Sequence, residues 1–217
     1  MLDQIEIKGK VITADALLTQ RTFAEYLVKE RKAHYHFTVK GNQKQLLEDL
    51  VELFRQRGEP DYAEPISLAH GRIEQRKIWV SNKLNDYLEF PHVGQVFLVE
   101  RHVIEKKTGK ESAELAYGIT SCKPDQASPK KVLATNRSHW CIENCCHYIV
   151  DTVYNEDRSR IRTGNGPENM TRLRRFAVGL LKSRGVKNIA EKMRQLLLNT
   201  RQLLDILKMT KNSCRVA

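Results

Sequence analysis

Residues 8–57 alternate between two hydrophobic periods, and this alternation constrains the fold more than any other feature of the chain. KGKVITADA, residues 8–16, is a short apolar run with Val11, Ile12 and Ala14, closed by the acid Asp15. Helix signals follow: Thr19 is an expected N-cap, and Phe23, Ala24, Leu27 and Val28 keep the helical period as far as Lys32. HYHFTVK, residues 34–40, alternates as a strand does. After GNQ, residues 43–57 set Leu46, Leu47, Leu50, Val51 and Phe54 on one helical face. Strand–helix–strand–helix predicts an α/β core. Asp15 then falls at the C-terminal end of a strand, where open α/β sheets carry their sites. An acid at a helix N-terminus would have the same position, and the pattern alone leaves both readings open.

Beyond residue 57 the pattern changes. Gly58, Pro60, Pro65 and Gly71 punctuate a loop-rich stretch. Three β-rich runs follow, RIEQRKIWV, VFLVERHVIE and SAELAYGITS, the last two separated by the hairpin signal KKTGKE. They predict an antiparallel sheet over 72–121. A loop with Pro124 and Pro129 leads to a short helix at 130–137. Gly166-Pro167 opens a strong helix with Met170, Leu173, Ala177, Leu180 and Leu181 as its apolar face, and Gly185 ends it. A last helix is expected over 188–208. The expected segments are an α/β core at 1–57, a β-rich insertion with loops at 58–129, a helical end with a basic arm at 130–208, and a tail at 209–217.

Charge divides the chain. From Arg158 onward there are 15 Lys/Arg against 3 Asp/Glu, whereas residues 1–157 hold 22 against 23. A cationic arm on a near-neutral body points to a polyanion, most simply nucleic acid, although a solvated basic helix pair has the same composition. No run of about 18 apolar residues is present to span a membrane. MLDQIEIKGK lacks the apolar segment of a secretory signal. The five cysteines form no C-x-x-C pair and read as free thiols of a reducing, cytoplasmic environment.

Residues 139–160, HWCIENCCHYIVDTVYNEDRSR, bring the densest chemistry. Read as a helix, they stack Trp140, Cys145 or Cys146, Ile149 and Val153 into one stripe and His139, Glu143, His147 and Asp151 into another. Glu143 is the leading candidate for a catalytic acid. A helix-face acid paired with His139 or His147 is the plain alternative, and a helix-borne metal site of His and carboxylate ligands is a further one. The chain has no Gly-rich phosphate loop, no G-x-S-x-G and no H-E-x-x-H. Carboxylates on separate elements, Asp15 and Glu143, suit Mg²⁺ or Mn²⁺, which prefer oxygen ligands.

The runs DALLTQRTFAEY, HYHFTVKGNQ, HGRIEQR and HWCIENCCHYIVDTVYNEDRSRIRTGNGPENMTRLRR together resemble insertion-sequence transposases of the DDE type, in the branch that includes the H-repeat-associated proteins. The resemblance extends from about Lys8 to Leu204. It implies part of a ribonuclease-H-like α/β fold, with an antiparallel β-rich insertion before the last acid and helices at the C-terminal end. It also implies metal-dependent cleavage and joining of DNA, with Mg²⁺ or Mn²⁺ as cofactor. Asp15 matches the second acid of the family's triad and Glu143 the third, both as metal ligands. Lys40, Asn42 and Gln43 match the family's KGNQ run, which is implied to lie near the DNA or the site, with Lys40 and Asn42 as expected DNA contacts. Arg137, His139, Trp140 and Asn144 match the motif around the last acid, where positioning or DNA contact is implied. Arg158, Arg160, Arg162, Arg172, Arg174 and Arg175 are the expected backbone contacts, although some of them could instead pair with Asp151, Glu156 or Asp157.

The chain departs from the family pattern in two respects. Some relatives carry Tyr, Arg and Lys at −7, −4 and +7 from the Glu, where this chain has Asn136, His139 and Val150. The first acid has no match: Asp3 and Glu6 lie 12 and 9 positions before Asp15, too close to sit on a neighbouring strand. The chain therefore resembles the C-terminal portion of such an enzyme, expected to be inactive alone. Its expected partners are DNA, a second copy or a full-length transposase, and no membrane. A remnant that binds DNA or a partner without catalysis is the second reading. A helical metal-binding protein without a nucleic-acid role is the third.

Overall fold

The computed structural model describes residues 2–69, 71–139 and 148–209. It divides into two compact units, Met1–His139 and Trp140–Ala217.

The first unit is built on one mixed sheet. Strand β1 (Val11–Ala14) runs parallel to β2 (His34–Val39), joined by a one-turn 3₁₀ helix at Ala16–Leu18, helix α1 (Arg21–Glu25) and a π-helical turn at Tyr26–Glu30. Helix α2 (Lys44–Arg55) leads to the short strands β3 (Tyr62–Ala63) and β4 (Ser67–Ala69), then to the long strands β5 (Arg72–Ser81), β6 (Gln95–Glu105) and β7 (Glu111–Thr120). The order across the sheet is β1-β2-β7-β6-β5-β3, with β4 also on β5. The run expected as an antiparallel insert is antiparallel, and it continues the same sheet: β7 pairs with β2 through His36↔Thr120 to Val39↔Tyr117. β1 is the sheet's edge among the described residues.

Strand alternation sends side chains to two apolar layers. Tyr35, Phe37 and Val39 of β2, with Val96, Leu98 and Ile119, face Ala24, Leu27, Leu46, Leu50 and Phe54 on the α1/α2 side. Phe97, Val99 and Ile78 face helix α3 (Pro129–His139) through its buried Val132 and Leu133. Fully burying each such side chain is worth about 1.5–3 kcal/mol. Gly118 marks where the sheet is tightest: a Cβ there would stand 2.7 Å from the Phe37 carbonyl oxygen and inside the Phe97 ring's contact shell. Thr19 is not the N-cap of α1. Gln20 holds that position, and the buried Thr19 hydroxyl donates instead to Thr38 O at 2.8 Å.

In the second unit, the helix expected through residue 160 is described from Tyr148 as α4 (Tyr148–Val153) and has ended by Asn155, which takes a left-handed φ of 51°. A one-turn 3₁₀ helix at Glu156–Arg158, α5 (Gly166–Ser183), α6 (Ile189–Leu198) and α7 (Thr200–Ile206) follow. Pro167 lies in the first turn of α5, and Gly185 ends it with φ of 73°. The helix expected over 188–208 is broken at Asn199, which caps α7 by accepting from Gln202 N–H. The face of α5 differs from expectation: Val178 and Leu181 are buried, while Leu173 is exposed. Trp140, Cys145 and His147 lie outside the described residues.

Candidate functional site

Asp15 is the first residue beyond β1. Its backbone is extended, and its Oδ1 accepts from Ala16 N–H at 2.7 Å, capping the 3₁₀ turn. Its Oδ2 has no partner among the described residues, and the side chain is 60% exposed, so one carboxylate oxygen faces outward. Lys40 Nζ stands 3.8 Å from Oδ1, itself 67% exposed. A pair this open contributes little to stability, but it places a cation at the rim of the carboxylate.

The KGNQ run builds this strand end. Asn42 Nδ2 donates to Ala16 O at 2.6 Å, and Gln43 Nε2 donates to Thr19 O at 2.9 Å. Both amides thus satisfy carbonyls of the turn that follows Asp15 and hold it against the end of β2. The expected DNA contact Asn42 has its side-chain donor spent inside the fold.

Facing α3, Thr13 lies two residues before Asp15. Its Oγ1 is 3.1 Å from His139 Nδ1. Thr13 is in register with His36 on β2. His36 is buried and stacks on Phe97 at 4.5 Å, and its Nε2 has no hydrogen-bond partner among the described residues. Burial, with the neighbouring His139 as a second cause, pushes the His36 pKa down to about 3. It is a neutral ring under the site.

Arg137, another expected DNA contact, is held by Glu64: Nη1 donates to both carboxylate oxygens at 3.2–3.3 Å. Glu64 also lies 3.8 Å from Arg76, which pairs with Glu74, and Glu74 accepts from Arg101 at 3.0 Å. Burial raises the Glu74 pKa, and Arg101 with its neighbours more than offsets that, holding it below the usual carboxylate range. Glu64, Glu74 and Arg76 are not among the residues that sequence reasoning singles out, although Glu74 and Arg76 belong to the HGRIEQR run. Asp3 is engaged elsewhere, accepting from Tyr26 Oη and Arg31 at 2.5 and 3.1 Å.

Glu143 and Asn144 lie outside the described residues. At the +7 position Val150 is 3% exposed within α4, a core residue. Among the described residues no group of three or more His, Cys, Asp or Glu could hold a metal ion. Asp15, with a free and exposed oxygen, has the ligand chemistry that Mg²⁺ or Mn²⁺ prefers, but it supplies one ligand alone.

The six arginines expected as DNA contacts in the second unit divide into two sets. Arg172 pairs with Glu168 at 2.6 Å, and Arg174 with Glu156 at 3.5 Å, the latter pair largely covered. Glu156 also accepts from Thr171. Arg158, Arg160, Arg162 and Arg175 are exposed, and their side chains have no hydrogen-bond or ion-pair partner among the described residues. Arg160 and Arg162 lie in the stretch that joins the 3₁₀ turn to α5, and Arg158, two positions before Arg160, ends the turn.

The sequence matches the transposase DDE domain family over residues 1–180. It is 32% identical over 220 residues to "Putative transposase YncI" of Escherichia coli O157:H7, covering 95% of this chain and 55% of that protein. It is 29% identical over 219 residues to "H repeat-associated putative transposase YhhI" of Escherichia coli strain K12, covering 95% of this chain and 57% of that protein. The chain thus spans about half the length of the curated relatives it matches. Among the described residues no helix is long and apolar enough to cross a membrane.

Proposed function

The chain belongs to the DDE transposase family, and on that premise we propose that it is a DNA-gripping part of a transposition enzyme, with Asp15 and Glu143 as its metal-binding carboxylates. The observation that carries the reading is Asp15: a strand-end carboxylate with one oxygen free, on a turn held by the family's KGNQ amides. Mg²⁺ or Mn²⁺ bound there would polarise a phosphoryl oxygen and activate the attacking water or hydroxyl. The protein's own share is to hold Asp15 at the strand end, with Lys40 beside it to meet a phosphate.

Two carboxylates are one short of the triad that the resemblance implies. The chain alone is therefore proposed to bind DNA without cutting it. The grip comes from Arg158, Arg160, Arg162 and Arg175, whose guanidinium groups have no competing partner among the described residues. Asn42, Arg137, Arg172 and Arg174 have partners within the fold and are secondary. DNA ends and target, and a second copy or a longer transposase, are the proposed partners. The third sequence reading, a helical metal site, has no support beyond its spacing, and His139 Nδ1 is engaged with Thr13.

Binding of a duplex oligonucleotide between roughly 50 and 200 mM salt tests this, since each phosphate that the protein neutralises adds about 0.9 to the steepness of the log–log plot. The triple variant Arg158→Ala, Arg160→Ala, Arg162→Ala is expected to reduce that steepness by about 2.7, and Arg172→Ala by much less. Absence of wild-type binding at the low-salt end overturns the reading. Cleavage of DNA by this chain alone in Mn²⁺, abolished by Glu143→Ala, overturns the inactivity.

A further inference from the structure

We propose that Thr13 and His139 are positioning residues: their hydrogen bond fastens the last turn of α3 to the strand that carries Asp15, and His139 serves the site through Thr13 without touching DNA. The inference rests on the reading of Asp15 and Glu143 as site residues, and it brings in Thr13 and chooses positioning over DNA contact for His139.

The bond joins residues 126 positions apart, at the point where α3 ends. The first half of α3 is held by apolar burial of Val132 and Leu133. Its last turn has no buried apolar residue and is tied by polar contacts in two directions. Arg137 reaches Glu64, between β3 and β4, and His139 reaches Thr13 on β1, at the opposite edge of the sheet. Ties to opposite sides fix the rotation of a helix end, which one tie would not.

The same device holds Asp15 from the strand side. Thr13 is tied two residues before it, and the Ala16 carbonyl is tied by Asn42 one residue after it.

Thr13→Val deletes the hydroxyl while keeping the β-branched shape suited to a strand, and Thr13→Ser keeps the hydroxyl. ¹⁵N NMR of the His139 ring and amide exchange over residues 136–139 give two readouts that need no DNA. Wild type and Thr13→Ser are expected to display a hydrogen-bonded Nδ1 and slow exchange. Thr13→Val is expected to lose the Nδ1 signature and to speed exchange about five- to tenfold, the worth of one ordinary hydrogen bond, with exchange in β2 unchanged. An unchanged ring signal and unchanged exchange in Thr13→Val overturn the latch. A DNA-binding salt dependence made shallower in His139→Gln but not in Thr13→Val overturns it too, because His139 would then be a phosphate contact. Failure of the wild type to bind DNA refutes the functional reading and leaves the exchange and ring results to decide the latch.

Discussion

The two units solve the problem of hiding apolar surface in different ways. In Met1–His139 the sheet gathers residues far apart in sequence, and Tyr35, Phe37, Leu50, Leu98 and Ile119 reach complete burial. In Trp140–Ala217, among the described residues, only a small cluster around Leu181, Ile189 and Leu196 closes, with Ile149, Met193 and Ile206 against it. Phe176 remains 63% exposed, and Leu197 and Leu198 remain 80% and 91% exposed. A sheet has two faces, and here helices cover both. The four described helices of the second unit cover one another only in part. The first unit is a scaffold with a continuous buried core beside the strand that ends before Asp15. The second is cationic, locally held and rich in surface that a partner could use.

The sharpest way to break this contrast is to truncate one phenylalanine in each unit. Phe37 is fully buried and stacks on Tyr35 at 4.6 Å and on Phe23 at 5.7 Å. Phe37→Ala is expected to cost about 3–5 kcal/mol in denaturant unfolding, from forfeited transfer energy and the cavity left behind. Phe176→Ala is expected to stay within about 0.5 kcal/mol, the range of ordinary surface changes. Comparable destabilisation at both sites would mean that Phe176 is covered in solution.

Acid gives a smaller effect, confined to the scaffold. The folded-state pKa of His36 is near 3, below the ordinary value of about 6.5. Protons therefore bind the unfolded chain more readily. The stability this group contributes is complete above about pH 6.5 and is lost as pH falls from there towards about 3, by at most about 1.4 kcal/mol per pH unit. Residues 148–209 contain no histidine. Amide exchange corrected for intrinsic rates should show β2 and β7 losing protection from pH 7 to pH 5 while α5 changes little. His36→Gln should flatten the response in β2.

The contrast also explains what was legible beforehand. Strand periods in HYHFTV and RIEQRKIWV are local, so β2 and β5 could be read from alternation. Pairing of β7 with β2 is non-local, and nothing in either run says that the insert extends the first sheet. Asp15 could be placed because a strand end followed by helix signals is a local pattern. The commitments of Asn42 to Ala16 and of Arg137 to Glu64 span 26 and 73 residues and could not be read from spacing. In the second unit the Leu period runs on through Asn199 and hides the break there. The helical phase of Leu173 predicts a core position, yet too few neighbours stand against it to cover it.

The smallest effect tests whether the second unit is held by local caps. Asn188 Oδ1 accepts from Glu191 N–H at 3.0 Å at the start of α6, and Asn199 Oδ1 accepts from Gln202 N–H at 3.1 Å at the start of α7. Replacing an N-cap Asn by Ala costs about 1 kcal/mol when the helix is coupled to the fold. α6 carries the buried Ile189 and Leu196, whereas α7 buries no residue. Asn188→Ala should therefore lower the unfolding free energy of the second unit by about 1 kcal/mol and speed exchange throughout α6. Asn199→Ala should fray α7 alone, with faster exchange there and an unchanged midpoint. Protection in β2 and β6 should be untouched by either change, because each cap bonds within its own helix. Loss of β2 protection in Asn188→Ala would show that the two units unfold as one and that the contrast between scaffold and arm fails in solution.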